Sequence, residues 1–417
     1  MSVLRAAKVA MVLLVWLFMA PAWAELAIVG ARVYTVAEPE PLEGATVLIA
    51  DGRIEQVGMD LSVPFEYRRI DAGGKIVTPA FIESYSHFGL IEIEAEATTN
   101  DAALLEYPLG PAFDVSLALN PASTLIAVNR MDGVSRAITA PRPGVDALAG
   151  LAASVSLGTG AFLLEPKTAL FGHIGAASAE LAGGSRAAVM QRLRRALDEA
   201  ARFSPSRYRP GPGDYSRHDM AALKAFLRSG KPLVLAVERA AEIQQAISLA
   251  DDHGLRLIVL GGAEAWRVRD ALAAAGAAVI VRTHDNLPRS FETLGARLDN
   301  AALLHAAGVD VVFTAAETHN ARNLRQLAGN AVAYGMPWSA ALDGLTRRAA
   351  QVWGMDDVGT LTPGSRADLV IWNGDPLELT TWAEQVIIDG QAMPMRSRQT
   401  LLFERYRDLS KPYGYSR

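Results

Sequence analysis

The chain has 417 residues, half of them hydrophobic, with a formal net charge of −5 at pH 7 and no cysteine. The length is enough for one large domain or two with an extensive core. The mild negative charge argues against nucleic acid as a partner. The absence of cysteine excludes disulfides, thiolate metal sites and a cysteine nucleophile.

The first 24 residues have the pattern of a secretory signal peptide. Arg5 and Lys8 form a basic start, an apolar run follows at 9–20, and Ala22-Trp23-Ala24 is a small-x-small cleavage pattern. The apolar run is shorter than the ~20 residues that a membrane-spanning helix needs. We therefore expect cleavage after Ala24, a secreted protein with the periplasm as its compartment, and no membrane span in the mature chain. An uncleaved anchor is the alternative.

Strand patterns mark both ends of the remaining chain, and a βα alternation fills the middle. Short apolar runs separated by Gly, Pro and the turn Asp51-Gly52 occupy residues 25–75, and similar runs return within 356–405. Between them, buried strand patterns such as Leu233–Val237 alternate with amphipathic helical patterns. This block, 76–355, is near the ~250 residues of a TIM barrel. The sequence thus predicts an α/β fold with a parallel sheet.

The most informative stretch is Thr78 to Leu90, an extended segment that ends in a polar cluster before Gly89. Side chains at i and i+2 on a strand point to the same face. Tyr85 and His87 therefore project together from a strand end toward one cavity.

The same stretch resembles the first-strand signature of the amidohydrolase superfamily, a group of metal-dependent hydrolases. That signature is Pro-Gly-hydrophobe-Ile-Asp-x-His-x-His-hydrophobe-Gly, and residues 79–89 fit its frame, with Tyr85 in place of the first histidine. Residues 359–370 resemble the C-terminal pattern Gly-x-Leu-x-Pro-Gly-x-x-Ala-Asp-Leu-Val. The resemblance, strongest to the imidazolonepropionase-like group, implies a distorted TIM (β/α)8 barrel over 76–355. It also implies a small β-sandwich composed of 25–75 and 356–405, with 406–417 as a tail.

The resemblance further implies metal ligands at the C-terminal ends of the barrel strands, and most of them are missing. His87 keeps the second histidine of strand one, and a strand-four lysine could be Lys167. Strands five, six and eight offer no standard ligand, with Ala236–Glu238, Gly261 and Ala316 at the expected places. A catalytic zinc site uses about three protein ligands, so His87 cannot hold the ion alone. We expect no metal cofactor; one divalent zinc ion is the alternative.

Several polar residues remain as candidates for a pocket at these strand ends: Tyr85, His87, Glu238, Arg239, His284, Glu317 and His319. Glu238 and Arg239 close a strand and could form an ion pair. A replacement metal site would combine His87 with His284, His319, Glu238 or Glu317, provided that these ligands converge on one point.

Two functions remain open from the sequence. The first is a secreted amidohydrolase-superfamily protein without the usual metal centre, acting as a binding or partner subunit. Its partner would be a second copy or a related intact amidohydrolase. The alternative is an active hydrolase of carbon–nitrogen bonds in amides or cyclic amides that uses a non-standard, mononuclear metal site. A metal-free hydrolase using Tyr85 or a carboxylate is a third hypothesis.

Overall fold

The computed structural model describes residues 25–106 and 109–408. The predicted signal peptide and most of the predicted tail lie outside the described residues. Within them, no helix is long and apolar enough to cross a membrane.

Strands from both ends of the chain pair in one sheet. It contains β1 (Leu26–Val33), β2 (Leu42–Ala50), β3 (Arg53–Gly58), β4 (Arg68–Asp71) and β5 (Ile76–Pro79). From the far end come β14 (Leu369–Trp372), β15 (Ala383–Ile388) and β16 (Gln391–Ala392). The order is β16-β15-β14-β5-β1-β2-β3, with β4 beside β1. Strand β5 lies at the predicted start of the barrel but joins the two ends, parallel to β1 and antiparallel to β14.

The second sheet is a nearly closed barrel of eight strands. They are β6 (Phe81–Ser86), β7 (Val134–Thr139), β8 (Leu148–Ser156), β9 (Leu163–His173), β10 (Leu233–Val237), β11 (Leu257–Gly261), β12 (Ala278–Val281) and β13 (Asp310–Phe313), in chain order around the sheet. All are parallel except β8, which runs antiparallel to both neighbours. The predicted distorted TIM barrel with an additional sheet is therefore confirmed, and the reversed β8 is part of its distortion.

Helices cover the outside of the barrel. They are α1 (Thr124–Arg130), α2 (Ala176–Leu181), α3 (Arg186–Ala201), α4 (Arg217–Leu227), α5 (Ala240–Asp252), α6 (Arg269–Ala274), α7 (Asn300–Ala306), α8 (Leu324–Ala333), α9 (Trp338–Leu345), α10 (Arg347–Trp353) and α11 (Arg398–Tyr406). Side chains of β10 point alternately toward the helices and into the barrel. Leu233 and Leu235 pack in the helix-facing cluster, whereas Val234 belongs to the interior cluster that ends at Trp353 of α10.

Side chains complete the barrel where β13 meets β6. Thr314 Oγ1 donates to the carbonyl of Tyr85 at 3.0 Å, and the Ala315 amide donates to Glu83 Oε2 at 3.1 Å. Glu83 Oε1 also accepts from the Tyr85 amide at 3.1 Å. Glu83 is fully buried, and this burial raises its pKa to about 7, while the hydrogen bonds oppose the rise. A buried carboxyl thus bridges the first and last strands.

A buried ion pair connects the barrel to the other sheet. Arg136 of β7 donates from Nε to Asp368 Oδ2 at 2.7 Å and from Nη2 to Asp389 Oδ1 at 2.6 Å. The side chains of Arg136 and Asp368 are each only 2% exposed. Asp368 belongs to the C-terminal sequence pattern, so this pairing gives that pattern a structural role.

Candidate functional site at the barrel mouth

Three aromatic rings form a column inside the barrel. Tyr85, near the end of β6, stacks on Phe171 of β9 with ring centroids 5.8 Å apart and planes 25° apart. Phe171 in turn stacks on Trp353 at 6.4 Å and 8°. Burial raises the pKa of Tyr85 to about 12, although Arg142 and Arg282 oppose the rise. The phenol is therefore neutral near pH 7, and its ring is part of the interior packing.

His87 lies beside this column and is held in one orientation. Its Nδ1 is 2.8 Å from the carbonyl oxygen of Ala140, and its ring meets Tyr85 edge-on at 5.1 Å. Burial lowers the pKa of His87 to about 4. The neutral ring must carry its hydrogen on Nδ1 to donate to the carbonyl, which leaves Nε2 as an acceptor.

A second histidine, missed as a candidate from the sequence, ends β9 in the same mouth. His173 shares a strand face with Ala169 and Phe171, which belong to the barrel interior. It is 6% exposed, and neither ring nitrogen has a hydrogen-bond partner within the described part of the chain. Burial lowers its pKa. The alternation Ala-x-Phe-x-His was the available signal, but the strand was not recognised.

Glu238 and Arg239 separate at the end of β10 instead of pairing. Glu238 Oε2 accepts from the Ala263 amide at 2.8 Å, and burial raises its pKa. Arg239 turns to Glu242 at the start of α5, with Nη1 and Oε1 3.1 Å apart. The Glu238 side chain continues the face of β10 that points into the barrel, whereas Arg239 pairs with a residue of α5.

Gly261, at the strand-six ligand position, has no room for a side chain. Its φ is +92°, and a Cβ there would lie 2.6 Å from Glu238 Oε1. The carboxylate of Glu238 thus fills the space into which a ligand on β11 would extend. A histidine at 261 would need both a strained backbone and displacement of Glu238.

The remaining candidates lie on exposed loops. His284 follows β12 and contacts Asp285, with Nε2 and Oδ1 3.4 Å apart. Glu317 and His319 follow β13 and are exposed, and Glu317 Oε2 accepts from Asn320 Nδ2 at 3.2 Å. Lys167 lies six residues before the end of β9, is largely exposed, and contacts Asp114 at 3.6 Å. The end of β9 instead presents His173.

The donor set at the mouth does not fit the metal centre implied by the family resemblance. Of the expected ligand positions on strands one, five, six and eight, His87 keeps a histidine, whereas Tyr85, Ala236–Glu238, Gly261 and Ala316 occupy the others. Among residues 25–106 and 109–408, no group of three His, Asp or Glu side chains could hold an ion. Tyr85 and Phe171 pack where the first ligand would lie.

The fold and the mouth define a distorted TIM barrel of the metal-dependent hydrolase type. The family model "Amidohydrolase family" matches residues 76–393, and the chain belongs to that family. It is 29% identical over 383 residues to an imidazolonepropionase from Cereibacter sphaeroides, covering 81% of this chain and 90% of the relative. An imidazolonepropionase from Paracoccus denitrificans is 26% identical over 386 residues, with the same coverage.

A solved structure shares the fold. An amidohydrolase from Thermotoga maritima superposes with a TM-score of 0.80 at 22% identity, covering 89% of this chain and all of that one. The expected family membership and fold are both confirmed.

Proposed function

We propose that this protein is a non-catalytic member of the amidohydrolase family, exported to the periplasm, whose barrel acts as a binding or partner subunit. One observation carries the proposal: Tyr85 stands at the first ligand position, with its ring packed on Phe171 at 5.8 Å. The packed aromatic rings occupy the first ligand position and stabilise it without a metal ion.

The chemistry of the mouth supports the same proposal. Metal-assisted hydrolysis needs an ion held by about three ligands, which turns bound water into hydroxide near neutral pH. His87 offers one ring nitrogen, and its other nitrogen is bonded to Ala140. Glu238 is bonded to the Ala263 amide, and the Tyr85 phenol remains protonated because its pKa is about 12. None of these groups is a strong nucleophile, and His87 Nε2 is a weak base because the pKa of the ring is about 4.

Exposed apolar side chains near the mouth support a role in association. Leu117, in the segment after β6, is 87% exposed, and Leu287 and Phe291, in the segment after β12, are 76% and 89% exposed. Contact with another chain would remove this apolar surface from water. The proposed partner is a second copy or an intact relative.

The alternative is hydrolysis of a carbon–nitrogen bond in an amide or cyclic amide with one zinc ion. Similarity to imidazolonepropionases and the two imidazoles of His87 and His173 favour it. The proposal predicts that purified protein with added zinc hydrolyses imidazolonepropionate no faster than buffer. The Paracoccus denitrificans imidazolonepropionase is the positive control. Zinc-dependent turnover that His87→Ala abolishes would replace the proposal with the alternative.

A further inference from the structure

A cleft outside the barrel interior has no role in the proposed function. Its volume is about 680 Å³, and helix α8, the segments after β12 and β13, and residues 375–379 line it. This volume lies within the range of small-molecule sites, roughly 300–1,000 Å³.

Helix α8 presents a row of carboxamides to this cleft. Asn323, Gln326 and Asn330 are spaced i, i+3 and i+7, so they follow one helix face. The rise along a helix separates the first from the last by about 10 Å. Within the described residues, none of the three carboxamides has a side-chain hydrogen bond to another group. A carboxamide can both donate and accept, which matches hydroxyl groups on a ligand.

The charge of the lining excludes anionic ligands. Glu317, Asp375 and Glu378 line the cleft, and no Lys or Arg is among its described lining residues. Negative side chains in the lining repel phosphates and carboxylates.

Two of these carboxylates already accept hydrogen bonds from neutral groups of the chain, which occupies part of their acceptor capacity. Asp375 accepts from the Trp338 indole at 2.9 and 3.0 Å and from the Leu377 amide at 2.9 Å. Glu317 accepts from Asn320. The polar side chains of the cleft without a hydrogen bond or ion pair in the described part of the chain are the three carboxamides and Glu378.

Apolar side chains line the same cleft. Trp338 is held through its bond to Asp375 and packs against Tyr34 with ring centroids 4.7 Å apart. Leu377 and Leu379 add aliphatic surface. The amides can exchange hydrogen bonds with the hydroxyl groups of a sugar. The indole of Trp338 and the aliphatic carbons can contact its C–H groups.

We propose that this cleft binds a neutral saccharide, with Asn323, Gln326 and Asn330 contacting the hydroxyls of two linked sugar rings. The cleft lies at the rim of the barrel mouth, where His284 and Glu317 line it. The proposal rests on the three carboxamides, which are not among the candidate metal ligands.

The test measures binding of maltose and N,N′-diacetylchitobiose to the full chain by calorimetry and saturation-transfer NMR. The wild type is expected to bind at least one of them. The double variant Gln326→Ala/Asn330→Ala is expected to bind about tenfold or more weakly, because two hydrogen-bonding groups are lost. Gln245→Ala, an exposed glutamine on α5, is the matched control and should bind as the wild type does.

Three results would overturn the proposal. One is that neither disaccharide binds the wild type at millimolar concentration. Another is that the folded double variant, checked by circular dichroism, binds as tightly as the control. The third is that tri-lysine binds in a manner sensitive to the double substitution while the sugars do not, which would assign the cleft to cations.

Discussion

Tyr85 and Phe171 stack inside the barrel with ring centroids 5.8 Å apart, and the second ring leads on to Trp353. Stacked aromatic rings therefore lie directly below the mouth of this barrel. Because a well-packed interior resists the loss of volume, this column should contribute to stability in a measurable way.

Removing the middle ring tests that contribution. Phe171 is 3% exposed, so Phe171→Ala should lower the free energy of unfolding by about 3–5 kcal/mol. Phe171→Leu, which keeps most of the volume, should lose clearly less. Urea denaturation measures both. A loss below about 1 kcal/mol for the alanine variant would mean that the column is not a packed element of the core.

Restoring one histidine should not restore a metal site. Tyr85→His would place two imidazoles on β6, but Ala236 and Ala316 would still offer no donor, and Gly261 has no space beside Glu238. Two imidazoles fall short of the usual three ligands, so a restored site would also need His173 at the end of β9. We expect titration of this variant with zinc, followed with a competing chromophoric chelator, to match the wild type. Submicromolar binding by this variant alone would contradict the account of the mouth.

The buried Glu83 predicts a particular dependence of stability on pH. Its pKa rises from 4.5 to about 7 on folding, so between these values the folded state holds more protons than the unfolded state. This contribution to stability is present at low pH and is lost as pH rises, by on the order of 3 kcal/mol.

Glu83→Gln removes the titrating carboxyl, so comparison with the wild type separates its contribution from those of other groups. His87, whose pKa is lowered from 6.5 to about 4, changes stability in the opposite direction, so the difference between variant and wild type is the informative quantity. We expect the variant to become more stable relative to wild type as pH rises from 4.5 to about 7. Urea denaturation at several pH values measures it, and a difference independent of pH would argue against a buried titrating carboxyl.

The Arg136–Asp368 pair should be sensitive to the loss of either partner. Asp368→Ala leaves the buried guanidinium with Asp389 alone, and breaking a buried pair costs about 3–5 kcal/mol. Arg53→Ala, which removes an exposed contact with Asp357 and an exposed hydrogen bond to the Gly364 carbonyl, is the control and should cost about 1 kcal/mol or less. Thermal unfolding compares them. Equal losses would show that the buried pair does not hold the two sheets together.

The sequence predicted the family, the barrel and the substitution at Tyr85, because each rests on a local pattern of neighbouring residues. It did not reveal His173, since residues 140–180 match the family pattern weakly and β8 reverses there. The position of the Glu238 carboxylate, where a side chain at 261 would extend, also escaped prediction, because it depends on a backbone with φ +92° at Gly261. Such details depend on how strands that are distant in the sequence lie next to each other. The pattern of neighbouring residues does not show this arrangement.

The central claim is that this amidohydrolase barrel does not hold a catalytic metal. Elemental analysis of protein purified without chelator, after dialysis against zinc and manganese, tests it most directly. We predict less than about 0.1 equivalent of either ion per chain, since strong binding requires about three converging ligands. About one equivalent of bound metal, lost on substitution of His87, would contradict the claim.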